Sequence, residues 1–404
     1  MVACFINLCF RHGIRGMRFP GKAGLMLLVV LAWGTGLSFS IDLNVSLYHD
    51  NLVQSLLFTV VEGHYRAIWD GGEGVPCRAG CSWYLMHRND SLYFRDPQGN
   101  WHRSSGIRFV AKDPSVFCLK PASPVLDSRE YTGDLNVGIS MKSLLILNSI
   151  GLEPYVMGVT ESEAGPACPL EYYKVQAVMC RTFALKNFNR HLEEGFNLCD
   201  GIHCQVYKGR NVWNEDVEIG TEVTDGLVLC DEDSVLINPV YHSNSGGETR
   251  GAEKAWLKEE PYLRPVLDPF SVGQKNAVWE RSMQVRDWLM YLLSYGIRFP
   301  EKADTSELEM HMKHRQDYYR VLGDSIPVAD IRDDFNYRSD FFDVLVDGDR
   351  VRIQGRGYGH GVGLSQEGAI EMARRRYHYT AILKTYYYGV QIIPWFDVKE
   401  LFSH

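Results

Sequence analysis

Positive charge is in short supply in this chain: 42 Lys and Arg stand against 50 Asp and Glu, a formal net charge of −8. A phosphate-binding surface needs the opposite balance, so a nucleic-acid partner is excluded. Low-complexity tracts and internal repeats are also absent, which removes repeat arrays and disordered polar tails from consideration. No Gly-x-Gly-x-x-Gly spacing occurs, so no dinucleotide site is indicated. No Gly-x-Ser-x-Gly elbow surrounds Ser243 or Ser245, so neither serine reads as a hydrolase nucleophile.

What remains is ordinary globular protein. The 404 residues are 45% hydrophobic, 12% aromatic and 23% charged, enough for two or three domains. Arg11, Arg15, Arg18 and Lys22 precede an apolar run, and Ala23 to Ile41 carries no charge. That layout predicts an export signal or membrane anchor over 1–40, with two outcomes left open: cleavage near Ser38 and Ser40, or an uncleaved span. Either one places the rest of the protein outside the cytoplasm, in the periplasm or on the outer face of the membrane. Ten cysteines occur. Outside the cytoplasm disulfides are permitted, and Cys77 with Cys81 or Cys118 is the expected pair. Cys180 sits among apolar helix neighbours and reads as an inert core thiol.

Residues 41–130 read as short alternating strands, such as Leu56-Leu-Phe-Thr-Val-Val61 and Ile107-Arg-Phe-Val110, and form a β-rich N-terminal region. A second region, 131–404, mixes strands and helices: a strand pair from Tyr131 to Asn148, a helix after Pro169, and a helix from Ser365 to Arg376. Residues 271–316 read as a helical insertion with Trp279, Trp288 and Leu292 on one stripe. Strict βαβ alternation is missing, so the fold class is α+β.

Four segments carry chemistry. Glu153, Glu161, Glu163 and Glu171 crowd the first, and spacing alone does not choose among them. In the helix that follows, Lys174 and Arg181 are two turns apart and share a face suited to substrate carboxylates, while Gln176 lies about 200° away in a supporting position. His191, Cys199, His203 and Cys204 make the second segment. Two thiolates and two imidazoles are the usual tetrahedral zinc set; the competing reading is a Cys199–Cys204 disulfide. The third, Tyr241-His-Ser-Asn-Ser-Gly-Gly-Glu-Thr249, offers hydroxyls and amides for sugar hydroxyls through Tyr241, Ser243 and Ser245. The fourth, Gly355-Arg-Gly-Tyr-Gly-His-Gly-Val-Gly363, alternates glycine five times. An extended chain would put all five on one face, with His360 opposite and Ser365-Gln366 following.

These wordings resemble the stage II sporulation protein D (SpoIID) family, with its related LytB amidase enhancers: Gly-Val-x-x-Ser-Glu ending at Glu163, the serine loop, and Gly-x-Gly-His-Gly-Val-Gly-x-Ser-Gln from Gly357 to Gln366. The resemblance covers roughly residues 131–390. It departs where Ala164-Gly-Pro166 replaces the usual Met-Pro. It implies a lytic transglycosylase that cleaves MurNAc–GlcNAc bonds of peptidoglycan glycan strands to 1,6-anhydro ends, with Glu163 as general acid and base. It also implies zinc held by the His and Cys set close to that site, a set with no open position for water. The alternative it carries is a non-catalytic, wall-binding enhancer of a cell-wall amidase.

Overall fold

The structure, a computed structural model, describes residues 41–70, 74–210, 214–256, 258–300 and 303–399. The expected leader therefore lies outside the described residues. Among those described, no helix is long and apolar enough to cross a membrane.

Residues 42–151 supply twelve strands. They are β1 (Asp42–Ser46), β2 (Ser55–Glu62), β3 (His64–Trp69), β4 (Val75–Arg78), β5 (Ser82–Arg88), β6 (Ser91–Arg95), β7 (Trp101–Ser104), β8 (Ile107–Ala111), β9 (Val116–Ser123), β10 (Arg129–Thr132), β11 (Asp134–Ile139) and β12 (Leu144–Gly151). Alternation decides which face is which: in β2 Leu56, Phe58 and Val60 are buried, while Leu57, Thr59 and Val61 are only half-buried. A six-stranded sheet runs β10-β9-β2-β5-β6-β7. A seven-stranded sheet runs from Leu198–Cys199 through β1, β12, β11, β8 and β3 to β4. Their inner faces pack as a sandwich, with Phe58 stacked on Phe109 at 3.9 Å and Trp83 edge-on to Phe109 at 5.6 Å. Each such ring contributes about 2–3 kcal/mol through burial. The seven-stranded sheet takes strands from both sides of residue 130.

β12 runs directly into helix α1 (Leu152–Ala164), and its pairing with β1, from Asp42↔Gly151 to Ser46↔Leu147, anchors the start of that helix. Pro154 suits its first turn, and Gly165 at φ +70 ends it. Helix α2 (Leu170–Lys186) buries twelve of its seventeen residues, so it is the central post of the second region rather than an amphipathic surface helix. Around it Tyr172, Val175, Leu229, Leu364, Ile382 and Leu383 form one apolar core.

Gly158 sits in the middle of α1, where glycine costs roughly 1 kcal/mol relative to alanine. Packing overrides that cost. A Cβ there would lie 2.1 Å from the Gly209 carbonyl and 2.7 Å from the Tyr207 ring. Gly209, at φ +112, in turn lies so close to the Glu130 carbonyl of β10 that its own Cβ would meet it at 2.1 Å. The segment up to Arg210 is thus threaded between α1 and the sheets.

Three expectations are corrected. Residues 271–316 are not helical throughout: Val278–Gln284 is a strand paired with Arg350–Arg356, and among the described residues of this stretch only Val285–Ser294 forms an α-helix. The cause is tertiary, because the Trp279 ring fills the space left by the missing side chain of Gly355. Trp288 and Leu292 do share the helix face, inside a separate core with Tyr319, Ile326, Phe342 and Ile353. The glycine segment does not stay extended either: beyond Arg356, Gly357, Gly359, Gly361 and Gly363 all take left-handed φ of +79, +116, +78 and +71. Finally, Cys77, Cys81 and Cys118 are free thiols. Cys77 is packed in the core beside Trp83, while the Cys81 sulfur accepts from the Arg78 amide at 3.4 Å.

A Gly158→Ala substitution should lower unfolding stability by about 1–3 kcal/mol despite improving helix propensity, as read from urea denaturation.

Candidate active site and metal centre

Glu163 lies on the last turn of α1 and is half-buried. Its Oε1 accepts the Val206 N–H at 2.9 Å. Lys208 N–H bonds to the Ser162 hydroxyl at 3.2 Å, so the 206–208 segment is laced to the same turn. Tyr241 stands beside the carboxylate: its phenol is held far above the usual range, first by burial and then by the Glu163 charge. The Cys180 thiol on α2 is pushed up to about 12 by the same two causes in the same order. Tyr172, raised chiefly by burial, also senses Glu163 and bonds to Gln366. Its hydroxyl donates to Gln176 Oε1 at 3.2 Å. Neutral phenols, a neutral thiol and two amides therefore surround one carboxyl group.

Chain pairing brings these pieces together. Tyr241 and His242 run parallel to Leu364 and Ser365, joining the serine loop to the end of the glycine segment. His360 Nδ1 accepts the Val362 N–H at 3.1 Å, which leaves Nε2 to donate to the Tyr241 carbonyl at 3.0 Å. His360 thus orients the Tyr241 backbone. Tyr241 adjoins Glu163 directly, while Gln176 and Gln366 meet the cluster through the Tyr172 hydroxyl.

Other expected residues serve the fold instead. Arg181 is fully buried and bidentate to Glu153 at 2.7 and 2.5 Å, with a third bond to the Leu227 carbonyl at 3.0 Å. It fastens α2 to the far end of α1 and presents no cation to a ligand. Lys174 pairs with Glu171 at 2.5 Å, and the other Glu171 oxygen accepts the Tyr379 N–H at 2.7 Å. Ser245 is buried, donating to Asp268 at 2.7 Å beside Ser271 at 2.8 Å. Ser365 caps the following helix by accepting the Gly368 N–H at 3.3 Å. Ser243 stays half-buried, with Asn276 at 3.3 Å. Glu367 went unnoticed in the sequence: its carboxylate accepts from Asn244 and Asn276, both at 2.7 Å, and locks the serine loop. Its position directly after Ser365-Gln366 was the available signal.

The His and Cys set does assemble. One donor atom from each of His191, Cys199, His203 and Cys204 lies within 4.8 Å of every other, so the four could hold a metal ion. A turn closed by Cys204 N–H to the Gly201 carbonyl at 3.1 Å lets the neighbouring ligands converge. Buried Asp200 holds that turn, accepting from Tyr48 N–H at 2.7 Å, His49 N–H at 3.0 Å and Arg129 at 2.9 Å. Glu194 takes His191 Nδ1 at 2.5 Å and leaves Nε2 facing Cys204 at 3.4 Å. An orienting carboxylate of this kind is what a ligating imidazole needs. Cys199 and Cys204 are free thiols, not a disulfide.

A profile of the family described as stage II sporulation protein matches residues 140–230. An uncharacterised protein of Brachyspira hyodysenteriae is 29% identical over 285 residues, covering 69% of this chain and 76% of that protein. Stage II sporulation protein D of Bacillus subtilis is 26% identical over 306 residues, covering 72% and 88%. The amidase enhancer of Bacillus subtilis is 26% identical over 321 residues, covering 66% of this chain and 44% of the enhancer. Over residues 140–230 the chain is similar to the SpoIID family, and two proteins named stage II sporulation protein D are similar over a longer stretch. The matched SpoIID segment contains α1, α2, Glu163 and all four candidate ligands.

A cavity of about 760 Å³ opens elsewhere in the protein, around Glu62, Asp113, Glu153 and Arg210. It adjoins the start of α1, about 15 Å from Glu163 along the helix, so cavity volume and chemistry do not coincide.

His242 and His360 face each other at 5.5 Å and both stay neutral. Burial drives His242 well below its ordinary value and His360 down to about 4. The unfolded chain protonates both near pH 6.5. Their contribution to stability is therefore intact above that pH and declines as pH falls from about 6.5 towards 4, by at most about 1.4 kcal/mol per pH unit for each histidine. Urea unfolding at pH 7 and pH 5 should show this loss, and His360→Gln should flatten the dependence.

Proposed function

We propose that this protein is an exported peptidoglycan lytic transglycosylase that cleaves MurNAc–GlcNAc bonds of glycan strands whose stem peptides have been removed. The observation that carries the reading is Glu163 itself: one half-buried carboxyl at the meeting of three motifs, held by the Val206 N–H and flanked by Tyr241. Retaining and inverting hydrolases generally use two carboxylates; here the surrounding partners are neutral.

The chemistry follows from one acid used twice. Glu163 gives its proton to the glycosidic oxygen, and the bond from that oxygen to C1 of MurNAc breaks. The C6 hydroxyl of the same MurNAc then attacks C1, and the Glu163 carboxylate takes the hydroxyl proton. The product is a 1,6-anhydro-MurNAc end, and no water is consumed. Tyr241, neutral throughout, donates to the carboxylate between the two steps. Gln176 and Gln366 hold Tyr172 against the site.

Zinc suits the donor set of His191, Cys199, His203 and Cys204, which would hold it as a structural cross-link. Those residues shape the 199–208 segment and so the placement of Val206 N–H. Export is supported by the basic and apolar layout of residues 11–41. A second reading has its own support in the similarity to an amidase enhancer: a wall-binding activator of an amidase that has no need of Glu163.

Purified protein incubated with peptide-free glycan strands should yield products ending in 1,6-anhydro-MurNAc by mass spectrometry. Glu163→Gln should lower that rate about 10²–10⁴-fold while leaving the unfolding midpoint in place. Reducing ends would mean a hydrolase. Intact strands together with stimulation of a cell-wall amidase would favour the enhancer reading.

A further inference from the structure

The outer face of the six-stranded sheet has a pattern that the catalytic chemistry does not use. Strand register sets Lys120, Leu57, Tyr84, Arg95 and Trp101 in a single row across β9, β2, β5, β6 and β7. Five strands span about 19 Å. Trp101, on the edge strand, is 55% exposed, although a tryptophan with no partner normally seeks cover. Its ring stands edge-on to Tyr84 at 6.4 Å. In the next row on the same face, Arg103 lies over the Tyr93 ring at 5.9 Å. A trough of about 340 Å³ lies beside the row, between Leu57, Tyr84 and Arg95 and the turn at 96–99.

The signs of the charges matter. Arg95, Arg103 and Lys120 gather on this face of a chain whose net charge is −8. Nearby acids already have partners: Asp96, which also lines the trough, is occupied by His102 at 2.9 Å and Asn100 at 3.0 Å, and Glu130 by Arg210 at 2.9 Å. Aromatic rings interleaved with cations suit a ligand that has apolar ring faces and carboxylates in alternation. Three spaced cations are too few for the dense phosphate contacts of a nucleic acid.

We propose that this face is a second, non-catalytic binding site for an anionic polysaccharide, its occupant the carboxylate-bearing glycan strand. Pyranose rings pack against Tyr84 and Trp101, and lactyl carboxylates meet Arg95, Arg103 and Lys120. The choice of glycan rests on the proposed function above, while the site itself rests on the sheet. Such a face holds the protein on its polymer at a distance from Glu163.

The test uses the full chain carrying Glu163→Gln, whose cleavage is slow on the timescale of a titration, so binding and catalysis are read separately. Fluorescently labelled, peptide-free glycan strands are titrated and followed by anisotropy at low and physiological salt. Trp101→Ala and Arg95→Gln, both at solvent-facing positions, should each weaken binding at least tenfold with unchanged circular dichroism. Raising salt should weaken the parent and Trp101→Ala more than Arg95→Gln. Parent-like affinity in both variants would overturn the proposal. So would displacement of the labelled strands by single-stranded RNA at lower concentration than by unlabelled strands.

Discussion

The bond from Val206 N–H to the Glu163 carboxylate is the constraint on which the site depends. A carboxyl on the last turn of a helix has few ways to be held, because the backbone there offers carbonyls rather than amides. The missing donor must come from elsewhere in the chain. Here it comes from the segment that, two to seven residues earlier, also carries Cys199, His203 and Cys204. One loop therefore carries three of the metal ligands and the donor that holds the acid, and it is pressed onto α1 at Gly158 and onto β10 at Gly209.

The rest of the molecule reads as support for that loop. The seven-stranded sheet delivers α1 through β12 and receives Leu198–Cys199 beside β1, so one sheet sets both the start of the helix that carries Glu163 and the first cysteine of the cluster. Asp200 ties the turn to Tyr48, His49 and Arg129. Arg181 fixes α1 to α2 from the opposite end through Glu153. Removing one partner of such a pair costs on the order of 3 kcal/mol, because a buried charge is left behind. On the far side, Asn244, Asn276 and Glu367 hold the serine loop against the Ser365 cap, which keeps Tyr241 beside the acid. Polar residues of three motifs are spent on geometry so that one carboxyl and its neutral neighbours remain for chemistry.

How much of this was legible in the sequence depended on range. The α+β class, the strand-rich start and the His191, Cys199, His203, Cys204 set followed from periodicity and spacing, which are local signals. Glu163 did not: four glutamates share its stretch, and only the family wording singles it out. Lys174 and Arg181 share a helix face as read, but their partners decide their roles, and Glu153 lies 28 residues away from Arg181. Trp279 looked helical beside Trp288 because its true companion, Gly355, is far along the chain. The glycine segment looked extended because strand is the default for alternation, whereas the four left-handed glycines are fixed by backbone contacts with residues 240–246 and the Arg315 side chain. Local pattern is visible in a sequence; long-range pairing overrides it without warning.

The most direct test of the account is a metal titration of chelator-stripped protein. Near-ultraviolet circular dichroism and release of 1,6-anhydro-MurNAc ends are followed in the same samples as zinc is added. If one loop holds both the ion and the acid, the two signals rise together and level off at one equivalent per chain. Full product formation by metal-free protein would contradict it, showing that Glu163 is held without the cluster.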